Sequence, residues 1–535
     1  MKRDFSLLKN GQFDLLVCGG GIYGAWTAYD AALRGLEVAI VEQNDWASAT
    51  SSASSKLIHG GLRYLEFYDF KLVRKALRER RLLLKNAPHR IWPLRFGVPV
   101  YANSRVGSLR LKAGLSLYDF LAGSLISDFS HLHFKREAFT ERFPALKVDA
   151  LKSGFTYCDA QTDDARLVLE LIAGAMAAGA VCVNYCKLSG LLEESGRVCG
   201  ATVQDRCSGI TEKIQARQIV NTSGQWVAES PEGRSWYRLT KGVHLVMPAV
   251  LTEEALLLTA QSDGRVFFLI PWYGRTLLGT TDRDYNGNLD HVTVEPEDVA
   301  YLLTAANHYL KTAWTDKDII GSYAGLRVMK QNDHASPSAV SRDWELKTTA
   351  NGMHYSIGGK ITSAREDATC IVNTVCTQLN INVPCSTEEK IFPWAPTENY
   401  STWSADANEQ ANRLCIDPES AKWLIRRHGK QVAGIFLSIE NDRSLAERVV
   451  STLPFIRADL LWSASNEMVV HLDDLLRRRM PLLILAKMSD SDLRWLATIV
   501  APVMGWNVAD IDREIEICRG VIHHAHLPGH EQIKA

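Results

Sequence analysis

The chain has no run approaching the ~18 to 20 consecutive apolar residues that a membrane-spanning helix requires. Its start, with Lys2 and Arg3, is basic but carries only a token apolar stretch, so neither a signal peptide nor a spanning segment is expected. Charge of one sign is also lacking. Lys and Arg total 60 against 61 Asp and Glu, a formal net charge of −1, which argues against a general nucleic-acid binder and leaves no charged tail. The 11 cysteines are scattered, with no CxxC and no Cys/His ligand spacing. They read as reduced thiols in a cytoplasmic setting, and no metal is expected. His523, His524 and His526 crowd together without a carboxylate or cysteine at ligand spacing and read as a polar helix end. Repeats and low-complexity segments are absent. A chain of 535 residues with 46% hydrophobic content can bury two or three cores.

What is present begins at residue 13. A short apolar strand pattern over 13–18 runs into Gly19-Gly20-Gly21-Ile22-Tyr23-Gly24, and a helix is expected from Ile22 or Tyr23. In such a turn the first glycine permits the tight bend, the second lets backbone approach a pyrophosphate, and the third allows close helix–strand packing. A second strand over 37–41 ends at Glu42, where an acid can accept hydrogen bonds from an adenosine ribose. Strand, glycines, helix, strand and acid in this order define a site for FAD or NAD.

A second glycine turn favours FAD. Gly358 and Gly359 again lead from strand-like residues into a helix-like run that starts with Lys360 and Thr362. A flavin is long and held at both ends, so a distant helix N-terminus aimed at its ring carbonyls is a sensible use of such a turn. Between the two turns lies a dense polar run, 49–66, with Ser51, Ser52, Ser54, Ser55, Lys56, His59, Arg63 and Tyr64. Its hydroxyls and amides suit a cofactor, and a serine-rich loop without a ligand is the plainer alternative.

This run, Tyr157-Cys158-Asp159 with Asp163-Asp164-Ala165-Arg166, Asn221-Thr222-Ser223-Gly224-Gln225-Trp226 and Lys241-Gly242-Val243-His244 follow one another in order. Ile270-Pro271-Trp272, Gly279-Thr280-Thr281-Asp282, Gly325-Leu326-Arg327, the stretch 336–343 and Gly358-Gly359-Lys360 continue the series. Together they resemble the FAD-dependent glycerol-3-phosphate dehydrogenases, with strong motifs over about 12–390 and a weaker likeness to about 520. The resemblance implies oxidation of sn-glycerol 3-phosphate to dihydroxyacetone phosphate, with a hydride passing to FAD and electrons to a quinone at a membrane. It also implies peripheral contact with the cytoplasmic face of the inner membrane. A homodimer and the absence of nucleic-acid partners complete the expected set.

Alcohol oxidation needs a proton acceptor and positive charge near the developing alkoxide, and a phosphorylated substrate needs arginine forks. The motifs place Arg327, Lys360, His59 and His244 as candidate catalytic residues, and Arg63, Tyr64, Thr281, Arg327 and Arg342 as candidate substrate ligands, Arg342 for the phosphate. Gly19, Gly21, Gly24, Glu42, Ser51, Ser52, Ser54, Ser55, Lys56, Gly224, Gly358, Gly359, Lys360 and Thr362 are expected at the cofactor. Val328-Met329 stand where the family pattern has Pro-Leu, and Trp26 where it often has a small residue. A relative acting on another small phosphorylated alcohol, an oxidase passing electrons to oxygen, and a non-enzymatic flavin protein therefore remain alternatives.

The expected fold is α/β: a discontinuous Rossmann-like FAD-binding domain (12–95, 150–230 and 320–390) with a mixed β-sheet substrate or cap domain (96–149 and 231–319). A C-terminal α-helical domain follows at 391–535, with helical segments near 421–438, 468–479, 490–500 and 509–523. The basic, leucine-bearing run 69–89 reads as a helix packed by its leucines, with a lipid-facing role as the minor alternative.

Overall fold

The computed structural model describes residues 1–123, 128–229, 236–251, 253–330 and 344–525. The chain crosses repeatedly between two sheets. It opens with β1 (Gln12–Cys18), α1 (Ile22–Leu33) and β2 (Val38–Val41), a parallel βαβ unit in which Leu15 lies opposite Val38 and Cys18 opposite Val41. It then enters the second sheet with β3 (Leu57–Ile58), α2 (Phe70–Asn86), β4 (Ile91–Tyr101), α3 (Ser108–Ala122), β5 (Leu132–Lys135), α4 (Arg136–Arg142) and β6 (Leu151–Thr162). After α5 (Asp164–Ala177) it returns to the first sheet for β7 (Val181–Val183), β8 (Cys186–Glu194), β9 (Arg197–Asp205) and β10 (Thr211–Asn221).

A second excursion adds β11 (Tyr237–Pro248), β12 (Ala255–Thr259), β13 (Val266–Trp272), β14 (Arg275–Gly279), β15 (Arg283–Asp284), α6 (Pro296–Tyr309) and β16 (Gly321–Lys330). The return brings β17 (Glu345–Thr348), β18 (His354–Ile357) and α7 (Ala364–Leu379). The first sheet runs β17-β18-β10-β1-β2-β7, with β9 and β8 branching from β10. The second runs β15-β11-β14-β13-β12-β4-β6-β3, with β16 along β11 and β5 along β6. β6 and β16, which open the intervals 150–230 and 320–390, are thus strands of the second sheet.

Small residues decide how tightly the first sheet is covered. Ala25, Ala28 and Ala31 of α1 are fully buried in one core with Ala364 and Ala368 of α7 and with α5. Trp26 belongs to the same core and meets Phe392 edge-on, with ring centroids 5.4 Å apart. A large residue is accommodated there because the incoming linker supplies its partner. Burying such a ring contributes several kcal/mol, on the order of 3 to 5 by truncation.

The C-terminal unit consists of α8 (Tyr400–Arg413), α9 (Pro418–His428), α10 (Val432–Asn441), α11 (Arg457–Asn466), α12 (Leu472–Asp474), α13 (Leu482–Leu485), α14 (Asp490–Met504) and α15 (Val508–Ala525). Two expected helices come out differently. The segment 421–438 breaks at Gly429, where φ is 53° and a Cβ would fall 2.1 Å from the Trp394 carbonyl oxygen. The segment 468–479 is only one short helix followed by a π-turn over Leu475–Arg479, which turns Arg478 and Arg479 into the protein interior. α2 packs through Leu72, Val73, Leu77 and Leu83. Four of its cations are engaged by the protein: Lys75 with Asp367, Arg78 with Glu388, Arg80 with Asp159, and Arg81 with the Ala122 carbonyl, while Lys71, Arg74 and Lys85 are exposed.

Candidate active site

The glycine fingerprint is closed by close approach. Gly19 has a φ of 111°, and a Cβ on Gly24 would lie 1.9 Å from the Gly19 carbonyl oxygen. Gly21 caps α1 without a side chain, and the first helical N–H, of Ile22, donates to Ser51 Oγ at 2.9 Å. A helix start with bare backbone and a hydroxyl beside it suits the pyrophosphate of a dinucleotide. At the end of β2, the Glu42 carboxylate accepts from the Gly20 N–H at 2.6 Å and the Asn44 N–H at 2.8 Å. Burial raises the Glu42 carboxyl above its ordinary range, against the pull of those two amides. Thr222, in the motif after β10, donates to the Gly19 carbonyl at 3.0 Å, and Gly224 follows with a φ of 59°. These residues fit FAD.

The run 49–66 joins the two sheets. Thr50 donates to the Leu326 carbonyl at 2.8 Å, and the Ser52 hydroxyl stays local, donating to the Ala49 carbonyl at 3.2 Å. Ser54 and Lys56, both expected at the cofactor, are held by Asp164 of α5. Ser54 donates through its backbone and its hydroxyl at 3.0 and 2.6 Å, and the buried Lys56 ammonium pairs with the same carboxylate at 2.5 Å. The physical reason is burial: an ammonium removed from water requires a counter-charge, and Asp164 supplies it at contact with Asp163 nearby. The neighbouring Ser55 hydroxyl meets His244 Nε2 at 2.8 Å.

His244 sits on β11 and Arg327 on β16, and β11 pairs with β16 with His244 opposite Tyr323. The imidazole stacks on the Tyr323 ring at 4.9 Å, with 14° between the planes. Burial, then the charges of Arg327 and Lys56, hold it well below the usual histidine range, so it is neutral at physiological pH. The Arg327 guanidinium donates to the Thr281 carbonyl at 3.2 Å, to Asp282 at 3.3 Å and to Thr280 Oγ1 at 2.9 Å. Thr281, expected in the pocket, is buried and its hydroxyl accepts the Val243 N–H at 3.0 Å. Its contribution to Arg327 is therefore its carbonyl.

The second glycine turn reaches the same region. Gly358 and Gly359 have φ values of 75° and 94°. A Cβ on Gly359 would lie 1.7 Å from the Tyr23 hydroxyl of α1. That hydroxyl accepts the Lys360 N–H at 3.0 Å and donates to Asp367 at 2.7 Å, which fixes the turn against the fingerprint helix. The Lys360 ammonium lies over the Tyr64 ring at 3.8 Å, and Thr362 Oγ1 accepts the His59 N–H at 3.1 Å. Arg63, on the same short turn as Tyr64, lines a groove of about 580 Å³ bounded by α3 and β12. Arg342, the motif 336–343 and His526 lie outside the described residues.

Three residues that position the site were not singled out in the sequence. Asp164 lay inside a quoted motif, and its signal was the acid pair at the start of a helix. Tyr23 occupies a variable position of the fingerprint, and Tyr323 carries no motif at all.

A folded unit of this kind, with a dinucleotide fingerprint on one sheet and a second sheet bringing His244 and Arg327 to its serine loop, defines a flavin-dependent oxidoreductase. The family model for FAD dependent oxidoreductase matches residues 14–365, and that for the C-terminal domain of alpha-glycerophosphate oxidase matches 394–511. Glycerol-3-phosphate dehydrogenase 2 of Mycobacterium tuberculosis is 35% identical over 95% of this chain and 88% of its own length. Aerobic glycerol-3-phosphate dehydrogenase of Bacillus subtilis is 32% identical over 96% of both chains. The structure of the glycerol-3-phosphate dehydrogenase from Bacillus halodurans complexed with FAD superposes with a TM-score of 0.79 at 28% identity, covering 99% of this chain and 98% of that one. The chain belongs to the FAD-dependent glycerol-3-phosphate dehydrogenase family, and its cofactor is FAD.

Proposed function

We propose that the protein oxidises sn-glycerol 3-phosphate to dihydroxyacetone phosphate and passes the electrons to a membrane quinone. One observation carries the reading: a single run, 49–66, connects the glycine fingerprint through Ser51 to a neutral His244 through Ser55, and Arg327 lies on the strand beside that histidine. Relatives that bear the name glycerol-3-phosphate dehydrogenase support the substrate. Bound FAD supplies an acceptor for a hydride at its N5.

In this reading the substrate C–H hydrogen leaves with its electron pair, and the hydroxyl proton goes to His244 Nε2, the ring nitrogen that already meets a hydroxyl group. The carbonyl then forms at the same carbon. Arg327, steered by Thr280, Thr281 and Asp282, stabilises the developing alkoxide, a role for which a placed donor is worth about 2.7 to 4 kcal/mol. Lys360 adds positive charge beside Tyr64, and Arg63 and Arg342 are assigned to the phosphate. His59 braces the second glycine turn through its backbone bond to Thr362. Gly19, Gly21, Gly24, Ser51, Glu42 and Gly224 serve the adenosine diphosphate end, and Gly358, Gly359 and Thr362 the flavin end.

The membrane reading is supported by an apolar rim. Among the described residues no helix is long and apolar enough to cross a bilayer. Leu109 and Phe120 of α3 are 84% and 64% exposed, and Tyr68, 78% exposed, lines the groove together with Arg105 and Arg110. Exposed apolar side chains among cations match a peripheral contact with anionic lipid on the cytoplasmic face.

The test is anaerobic addition of glycerol 3-phosphate to the purified flavoprotein. Bleaching of the flavin absorbance supports the substrate, and an unchanged spectrum overturns it. Turnover with a soluble quinone without peroxide supports the acceptor; stoichiometric peroxide in air would make the protein an oxidase.

A further inference from the structure

The loop 42–47 touches two parts of the molecule at once. On one side it is the wall of the FAD fingerprint. Glu42 holds the Gly20 N–H, the Ala47 N–H donates to the Gly20 carbonyl at 3.0 Å, and a Cβ on Gly20 would fall 2.4 Å from the Trp46 ring. On the other side it is held by the C-terminal helical unit. The Asp45 carboxylate accepts Arg478 Nε at 2.6 Å and both terminal nitrogens of Arg479, one of them at 3.0 Å. Trp46 Nε1 donates to Met468 Sδ at 3.2 Å.

None of this is surface decoration. Asp45, Trp46 and Arg479 are fully buried, and Arg478 nearly so. Arg479 is fixed in turn by the Glu467 carbonyl at 2.8 Å, and Arg478 by Asp474 at 2.6 Å. Burial disfavours the Asp45 charge, yet the two guanidiniums keep its carboxyl below the ordinary range. The loop also contains Ala47 at a φ of 60°, a left-handed conformation that an alanine keeps only where its surroundings impose it. The π-turn over Leu475–Arg479 is the device that brings two consecutive arginines to one carboxylate.

We propose that the C-terminal helical unit is a clamp on the adenosine end of the FAD site, acting through Asp45 on Arg478 and Arg479, so that cofactor affinity and the packing of that unit are thermodynamically coupled. Asp45, Trp46, Arg478 and Arg479 are positioning residues; Glu42 and the fingerprint amides are the groups they place. Loss of the arginine contacts strands a buried carboxylate, and the loop relieves that by opening. Opening takes Trp46 off Gly20 and moves Glu42. The inference rests on FAD binding, not on the substrate assignment.

Two measurements test it. Coupling is reciprocal, so FAD must protect the C-terminal unit as much as that unit supports FAD. Hydrogen exchange of the full-length protein with and without FAD is expected to show slower exchange over 472–480 in the FAD-bound form; equal exchange there overturns the clamp. Second, FAD dissociation constants are compared for the parent, Asp45→Asn, Arg479→Lys and the milder, volume-conserving Met468→Leu. The expectation is a rise of at least tenfold for Asp45→Asn, with smaller rises for the other two. Glu170→Gln, which breaks a buried ion pair away from the loop, is expected to lower the melting temperature with FAD affinity unchanged. If the loop variants lose melting temperature but bind FAD within twofold of the parent, their role is structural only and the proposal fails. Should Asp45→Asn not fold, the Met468→Leu affinity and the exchange data decide.

Discussion

Gly242 leaves the space that the Arg327 guanidinium fills: a Cβ on Gly242 would lie 2.3 Å from Arg327 Nη2. The two residues are on neighbouring antiparallel strands, β11 and β16, with Gly242 opposite Gly325. A missing side chain on one strand thus sets where the charge on the other can sit. Gly242→Ala is expected to displace the guanidinium from Thr280 and the Thr281 carbonyl and slow flavin reduction by ~100-fold or more, a loss on the order of 3 kcal/mol. FAD content should stay that of the parent. Stopped-flow reduction measures this, and a rate within threefold of the parent would remove Arg327 from the chemistry.

At the other end of the run 49–66, Ser51 offers its hydroxyl to the first N–H of α1. Ser51→Ala should weaken FAD by ~1 kcal/mol, about fivefold in dissociation constant, which is the net value of one such hydrogen bond. Flavin fluorescence titration reads it directly. An unchanged affinity would mean that Ser51 only ties the loop.

His244 makes a prediction with a definite sign. Burial, Arg327 and Lys56 depress its folded pKa well below the ordinary 6.5, so the native state resists the proton that the unfolded chain accepts. Its contribution to stability is therefore full above pH ~6.5 and falls as the pH drops below that value. The same depression removes its titration from the neutral range. The rate of flavin reduction by substrate should show no acid limb centred near pH ~6.5. An inflection there that vanishes in His244→Asn would show a histidine that titrates normally and contradict the neutral imidazole.

The parts of the site that were legible in the sequence are those where one residue type alone can serve. Gly19 and Gly24 are readable because contacts of 2.8 Å or less exclude a Cβ, and Glu42 because the end of β2 is a fixed distance from that turn. The FAD-binding fold followed from the order of those motifs, and the helical C-terminal unit from helix-length periodicity beyond residue 391. Partner choice was not legible. Lys56 and Ser54 stand among residues suited to a cofactor, yet their partner is Asp164, more than a hundred positions away, and only the crossing of α5 under the loop brings it near. The break at Gly429 is illegible for a similar reason: the linker carbonyl of Trp394 lies where a Cβ on residue 429 would fall, so that only a glycine fits at its left-handed φ. Periodicity reports which face of a helix is apolar; it carries no record of the backbone that will lie across it.

Glu170 supplies the clearest stability test, because its surroundings are entirely buried. Its carboxylate accepts Arg90 Nε and His89 Nε2, both at 3.0 Å, and the Trp394 N–H at 2.9 Å, joining α5 to the start of β4 and to the linker. Burial opposes the charge, but His89, Arg90 and the Trp394 amide outweigh it and bring the carboxyl down to about 2 from its ordinary 4.5. Burial also lowers His89 below its usual range, so at neutral pH that contact is a hydrogen bond from an uncharged ring and Arg90 carries the counter-charge. A depressed acid contributes stability that is present above pH ~4.5 and lost as the pH falls toward ~2. Glu170→Gln should therefore cost about 3 to 5 kcal/mol at pH 7, since it leaves Arg90 buried without its partner. The variant should also show a shallower loss of stability between pH ~4.5 and ~2 than the parent. Denaturant unfolding of the FAD-bound protein at several pH values gives both quantities. Equal stabilities at pH 7 would show that Arg90 finds another carboxylate, and equal slopes in acid that the protonation of Glu170 does not govern that limb.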